Sequence, residues 1–175
     1  MKELNYKESW SGDYKGVRFE VVHWRLGWNY YLYIPIKQLP DKIKPIFNLR
    51  TRKLQSSPES RVTIFYDYSN KRIISELDWH GGITDYNKER DELGKIVGFR
   101  LGCDYMHYWD ENISYNSDSV IRDAKASIDK LWELVPNLKL RCAYNGEYYN
   151  HEDVFYTEHD VCVALVNKEN WYKPI

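Results

Sequence analysis

Between Arg61 and Tyr68 the sequence RVTIFYDY sets Val62, Ile64, Tyr66 and Tyr68 alternately with less apolar residues, the period of a half-buried strand. Two earlier segments, Gly16 to Trp24 (GVRFEVVHW) and Trp28 to Ile36 (WNYYLYIPI), are rich in β-branched and aromatic residues. With Leu26 and Gly27 placed to turn the chain, they predict an N-terminal hairpin. Arg72 to Leu77 and Lys95 to Leu101 read as further strands, and the charged stretch HGGITDYNKERDELG between them reads as a loop. The period changes after Asn116, Ser117 and Asp118, which are N-cap candidates. Val120, Ile121, Ala124, Ile128, Leu131, Trp132 and Val135 then recur at three- and four-residue intervals, which predicts an amphipathic helix from about Ser119 to Val135. Pro136 stops it. Beyond it, Leu138 to Tyr144 and Tyr148 to Tyr149 flank Asn145 and Gly146, a pair suited to a type I′ hairpin turn, and Val161 to Val166 predicts a buried closing strand. The expected fold class is α+β: a mainly antiparallel sheet with one principal amphipathic helix packed on it.

Residues 41 to 61 interrupt this order with prolines and polar residues, and six basic residues there (Lys42, Lys44, Arg50, Arg52, Lys53, Arg61) face only Asp41 and Glu59. Residues 145 to 160 hold five acids, two histidines and no Lys or Arg. Solvated faces account for both runs, although charge blocks also mark interaction segments.

A chain of 175 residues with no repeat or linker fits a single domain over 1–175 and can bury a core without staples. Lys plus Arg number 25 against 26 Asp plus Glu, so no basic field exists for general nucleic-acid binding. No apolar run approaches the roughly 20 residues that span a bilayer, and the start MKELNYKESWSG lacks an apolar signal core, so the expectation is a soluble, non-secreted protein. Cys103, Cys142 and Cys162 are widely spaced and are expected to be reduced, buried and inert. The composition is unusual in its aromatics: 16 Tyr and 7 Trp against 5 Phe. Tyr and Trp join an apolar body to a polar tip and suit ligand walls as well as cores.

Two motifs concentrate candidate chemistry. Trp79, His80, Gly81, Gly82, Ile83 and Thr84 form the first; Gly102, Cys103, Asp104, Tyr105, Met106, His107, Tyr108, Trp109 and Asp110 form the second. Adjacent glycines allow positive φ or turn N–H groups toward a ligand, and Asp104, His107 and Asp110 are spaced by three. As ligand contacts we take Trp79, His80, Gly81, Gly82, Thr84, Asp104, His107, Trp109 and Asp110, the tryptophans stacking on a base or filling the core. As an alternative, His80, Asp104 and His107 could move protons as a catalytic set. Two imidazoles and two carboxylates are also metal-ligand types, but the spacing matches no metal motif, and neither metal nor cofactor is expected. The bland account is that the glycines turn the chain, His107 satisfies a buried partner, and Asp104 or Asp110 caps the next element. His23, in a strand pattern, and His151 and His159, in the acidic run, are weaker candidates.

The sequence WHGGIT at 79–84, then GCDYMHYWD at 102–110, then the helix from Ser119, resembles a group of small bacteriophage proteins with an aromatic N-terminal hairpin, HGG(I/L)T, GFDxxHxxD and an amphipathic helix. The likeness covers about 14–135; it departs at Cys103 and Tyr105 around Asp104, and 136–175 adds a hairpin and strand outside it. The resemblance implies action in a host bacterial cytoplasm and a role against host defence. The leading expectation is a binding protein that sequesters a small, anionic, nucleotide-derived immune signal. The alternatives are a His/Asp or metal-dependent hydrolase of such a molecule and a direct protein inhibitor of a host defence factor. Homo-oligomerisation is left open.

Overall fold

The computed structural model describes residues 7–24, 27–48, 51–53, 63–65 and 72–174. In chain order the strands are β1 (Lys7–Tyr14), β2 (Val17–Trp24), β3 (Gly27–Pro35), β4 (Thr51–Lys53), β5 (Thr63–Phe65), β6 (Asp85–Arg90), β7 (Ile96–Asp104), β8 (Leu140–Arg141), β9 (Tyr148–Tyr149), β10 (Val154–Tyr156) and β11 (Cys162–Ala164). The α-helices are α1 (Lys44–Phe47), α2 (Arg72–Ser75), α3 (Ser117–Leu134) and α4 (Lys168–Tyr172). Five strands form one antiparallel sheet in the order β1-β2-β3-β7-β6, and α3 packs across β2 and β3. This is the expected α+β class.

Alternation along β2, β3 and β7 explains the layer. Val17, Phe19 and Val21 of β2, Tyr30, Leu32 and Ile34 of β3, and Phe99, Leu101 and Cys103 of β7 share one buried face. Val120, Ala124, Ile128 and Leu131 of α3, recurring at helical spacing, cover that face. Tyr30 crosses the layer, its hydroxyl 2.7 Å from Ser127 Oγ, so the polar tip of a fully buried ring is satisfied. The opposite face carries Glu20, Tyr33, Arg100 and Asp85, with Arg100 hydrogen-bonded to the Asp85 carboxylate at 3.3 Å.

The helix begins at Ser117, two residues before the expected start, because Asn116 caps it. The Asn116 Oδ1 accepts from Ser119 N–H at 2.9 Å, and Ser119 Oγ accepts from Asn116 N–H at 3.1 Å. The helix ends at Leu134, next to Val135 and Pro136.

Four expectations need correction. Arg72 to Leu77 is not a strand: Arg72–Ser75 form one helical turn, and Ile74 and Leu77 are buried as they would be on a short helix-and-turn rather than on alternate sides of a sheet. The charged stretch after Thr84 is not wholly loop, because Asp85–Arg90 is the edge strand β6, fixed by the buried Tyr86 whose hydroxyl donates to Phe47 O at 2.6 Å. Gly146 has positive φ but Asn145 does not, so the β8–β9 connection is wider than type I′: Gly146 N–H donates to Cys142 O and Cys142 N–H to Glu147 O, each at 2.8 Å. The predicted closing strand shortens to Cys162–Ala164, and Leu165 and Val166 are exposed. Of the strand expected over 61–68, Thr63–Phe65 is strand β5, paired with β4; the rest of it, and 49, 50 and 54–61 of the basic run, lie outside the described residues. No helix among the described residues is long and apolar enough to cross a membrane.

Candidate functional site: a carboxylate clamped by two histidines

The two motifs meet at the sheet end where β3 begins and β7 finishes. Asn29 pairs with Asp104, and beyond the last pair Tyr105 N–H still donates to Trp28 O at 2.9 Å, holding the second motif against the start of β3. Gly102 is required by the approach of β3, since a Cβ there would stand 2.6 Å from Tyr30 O and 2.4 Å from the Tyr31 ring. The first motif reaches the same place from α2. Gly81 takes φ +70° and Gly82 φ +101°, and Thr84 N–H donates to Gly102 O at 3.0 Å, which joins the two motifs through the backbone.

At their meeting point stands the Asp110 carboxylate, its side chain only 4% exposed. Four donors converge on it. His80 Nε2 lies 2.8 Å from Oδ1, and the Tyr115 hydroxyl also donates to Oδ1. His107 N–H donates to Oδ2 at 3.0 Å, and His107 Nδ1 lies 3.1 Å from Oδ2. A carboxylate only accepts, so the protons of the pair sit on His80 Nε2 and His107 Nδ1, leaving His80 Nδ1 and His107 Nε2 with lone pairs when the rings are neutral.

Burial works to raise the Asp110 pKa, but the Tyr115, His80 and His107 donors outweigh it and hold the carboxyl down at about 2. The same contact works in reverse on Tyr115: burial and then its bond to Asp110 push the phenol up to about 12. Burial, with the hydrogen bond to Asp123, raises Tyr105 well above its ordinary value. Burial also lifts the Cys103 thiol to about 12, in keeping with an inert cysteine.

Aromatic faces fix the two imidazoles. His80 stacks on Tyr105 at 3.9 Å and 5°, and His107 stacks on Trp109 at 4.3 Å and 9°. Trp109 is half exposed and so forms an outer wall for His107. Alongside lies an open cleft of about 450 Å³ lined by His23, Gly27, Trp28, Tyr105, Met106, His107, Asp110, Glu111, Ile113 and Tyr115, with the His23 and Trp28 rings stacked at 4.0 Å and 6°.

The candidate residues therefore separate. His80, His107 and Asp110 are one cluster, Gly81 packs against it, and Trp109 screens it. Trp79 belongs to the core: it is 7% exposed, stacks on Tyr30 at 5.6 Å and donates from Nε1 to Ile74 O at 2.6 Å. That corrects its expected place as a ligand contact. Asp104 lies apart from this group: its Oδ1 accepts from Met106 N–H at 3.1 Å, and the carboxylate that stands with His80 and His107 is that of Asp110. Thr84 and Gly82 are exposed, and Gly82 has open space around it. His151, beside Trp132 and Tyr156, and His159, 3.5 Å from Glu158, stand apart from the cluster. To the expected ligand contacts the site adds Tyr105, Tyr115, Trp28 and His23, the last expected only as a weaker candidate. Of these only Tyr105, inside the second motif, carried a local signal, while the others arrive through strand register and a five-residue return of the chain. No protein-family model, no curated protein and no solved structure matches the chain.

Proposed function

We propose that the protein captures a small nucleotide-derived signalling molecule and so acts as a phage counter-defence binding protein in a bacterial host. The observation that carries this reading is the cleft of about 450 Å³, within the size range of small-molecule sites, whose walls are the rings of His23, Trp28, Tyr105, His107 and Tyr115. Such faces stack on a base with little regard to its identity. Among the described residues no lysine or arginine lines the cleft and Asp110 and Glu111 do, so its walls hold the ring system, and His23 and His107 are the described groups that meet phosphate oxygens. Calorimetry against cyclic nucleotides and ADP-ribose derivatives tests this. Saturable binding of at least one, weakened by Trp28→Ala, is expected; a folded protein that binds none overturns it.

One observation favours a second reading, degradation of the same molecule. His107 gives Nδ1–H to Asp110 and keeps a lone pair on Nε2, the arrangement of a general base oriented by a carboxylate. Incubation followed by denaturation separates the two. A binding protein releases intact ligand, and a hydrolase releases product.

A further inference from the structure

Among the described residues, the ligand-type atoms of His80, His107 and Asp110 form a group lying within 4.8 Å of one another. We infer that this cluster is a binding site for one divalent transition-metal ion of the zinc class, held by Nε2 of His80, Nδ1 of His107 and one carboxylate oxygen of Asp110. Two imidazoles and a carboxylate are the donor set of zinc sites that keep a fourth position open. They are a poor set for magnesium or calcium, which call for mostly oxygen donors.

The geometry supplies most of what such an ion needs. Both nitrogens already point at the same carboxylate, from 2.8 and 3.1 Å, and ligands around a tetrahedral zinc stand about 3.4 Å apart, as follows from metal–nitrogen bonds of about 2.0–2.1 Å. Small side-chain shifts would open the centre. The stacking of His80 on Tyr105 and of His107 on Trp109 holds both rings in plane before the ion arrives, so little rotamer freedom is lost on binding. His107, Asp110 and Tyr115 border the cleft, which turns the remaining coordination position toward it.

The proton count closes without net loss. In the metal-free cluster each ring carries its proton on the nitrogen facing Asp110; on binding, that nitrogen turns its lone pair to the ion, and a proton moves through solvent to Nδ1 of His80 and to Nε2 of His107. Asp110 exchanges the two imidazole donors for the cation and can keep the Tyr115 hydroxyl, an outer-shell partner that orients the ligand.

The inference uses the cleft of the proposed function only to say where the open position faces. Chelator-stripped protein is titrated with Zn²⁺, and separately with Co²⁺, with no nucleotide present. One equivalent should bind, with the visible absorption of four- or five-coordinate cobalt. Long-range ¹H–¹⁵N correlations of the wild-type imidazoles should show His80 and His107 changing tautomer. His80→Ala and His107→Ala should each weaken binding by at least the roughly tenfold to hundredfold typical of losing an outer-shell partner, while His151→Ala and His159→Ala bind as the parent does. No stoichiometric binding by the folded parent overturns the inference, as does binding that shifts other histidines instead. The imidazole spectra need no variant, so a misfolded substitution does not blunt the test. Nucleotide binding to stripped protein, with no metal bound in the titration, would overturn the metal site alone.

Discussion

Gly81 and His107 are in direct contact across the two motifs: a Cβ built on Gly81 would lie 2.3 Å from His107 Cε1 and 2.4 Å from Nε2. The first motif thus provides the floor on which the imidazole of the second rests, while His80, one residue earlier, bonds the carboxylate that holds the same imidazole. Spacing within either motif reflects a contact with the other.

Gly81→Ala should therefore be costlier than Gly82→Ala. Both residues have positive φ, a strain of about 1–3 kcal/mol for a side chain. Only Gly81 adds overpacking, about 1–3 kcal/mol more, since nothing lies within 4 Å of the Gly82 position. Denaturant unfolding of the two variants measures the difference; equal losses would mean that His107 yields freely.

Asp110→Ala should lose about 3 kcal/mol or more, because it leaves the His80, His107 and Tyr115 donors around an emptied, buried point. Asp110→Asn keeps the volume but presents an amide NH₂ to donors, so it should also destabilise. Chemical denaturation checks both, and a neutral Asp110→Asn would show that the donors are not held to the carboxylate.

In chelator-stripped protein, acid should attack this same group. The folded pKa of Asp110, about 2, lies below its ordinary 3.8, so its stabilising contribution is complete above about pH 4 and is lost as pH falls toward 2. Stability curves of the parent and of Asp110→Asn should converge over that window. Parallel curves would contradict the clamp.

Asp104→Ala should leave ligand capture intact and cost about 1 kcal/mol, the worth of its single bond to Met106 N–H. Calorimetry beside His107→Ala makes the comparison. Loss of binding in Asp104→Ala with a normal fold would return this residue to the site.

The parts of the fold legible in the sequence are those with a wet side and a dry side. The β2–β3 hairpin and α3 each alternate at their own period because one face meets the core. Within the five-stranded sheet, the two strands that pattern did not reveal, β1 (KESWSGDY) and β6 (DYNKER), are its edges, where a charged, mostly solvated sequence protects the open edge from other chains. For the site, spacing by three named Asp104, His107 and Asp110 alike, and sequence alone could not tell them apart. Asp104 ends β7 and turns its carboxylate to the Met106 N–H two residues on, whereas the turn at Tyr108–Asp110 brings Asp110 back to the His107 N–H and ring. Tyr115 joins from outside any motif, and His23 and Trp28 come with the hairpin's register.

Capture of a ring-bearing nucleotide-derived ligand in this cleft should be visible in the tryptophan indole N–H resonances as such ligands are added. Trp28 lines the cleft and Trp109 covers His107, whereas Trp132 donates to Lys15 O elsewhere, at 3.0 Å. A saturable shift of the Trp28 and Trp109 signals with Trp132 unmoved is the predicted result. Saturable shifts confined to Trp132, or no shift with any ligand of the panel, would contradict it.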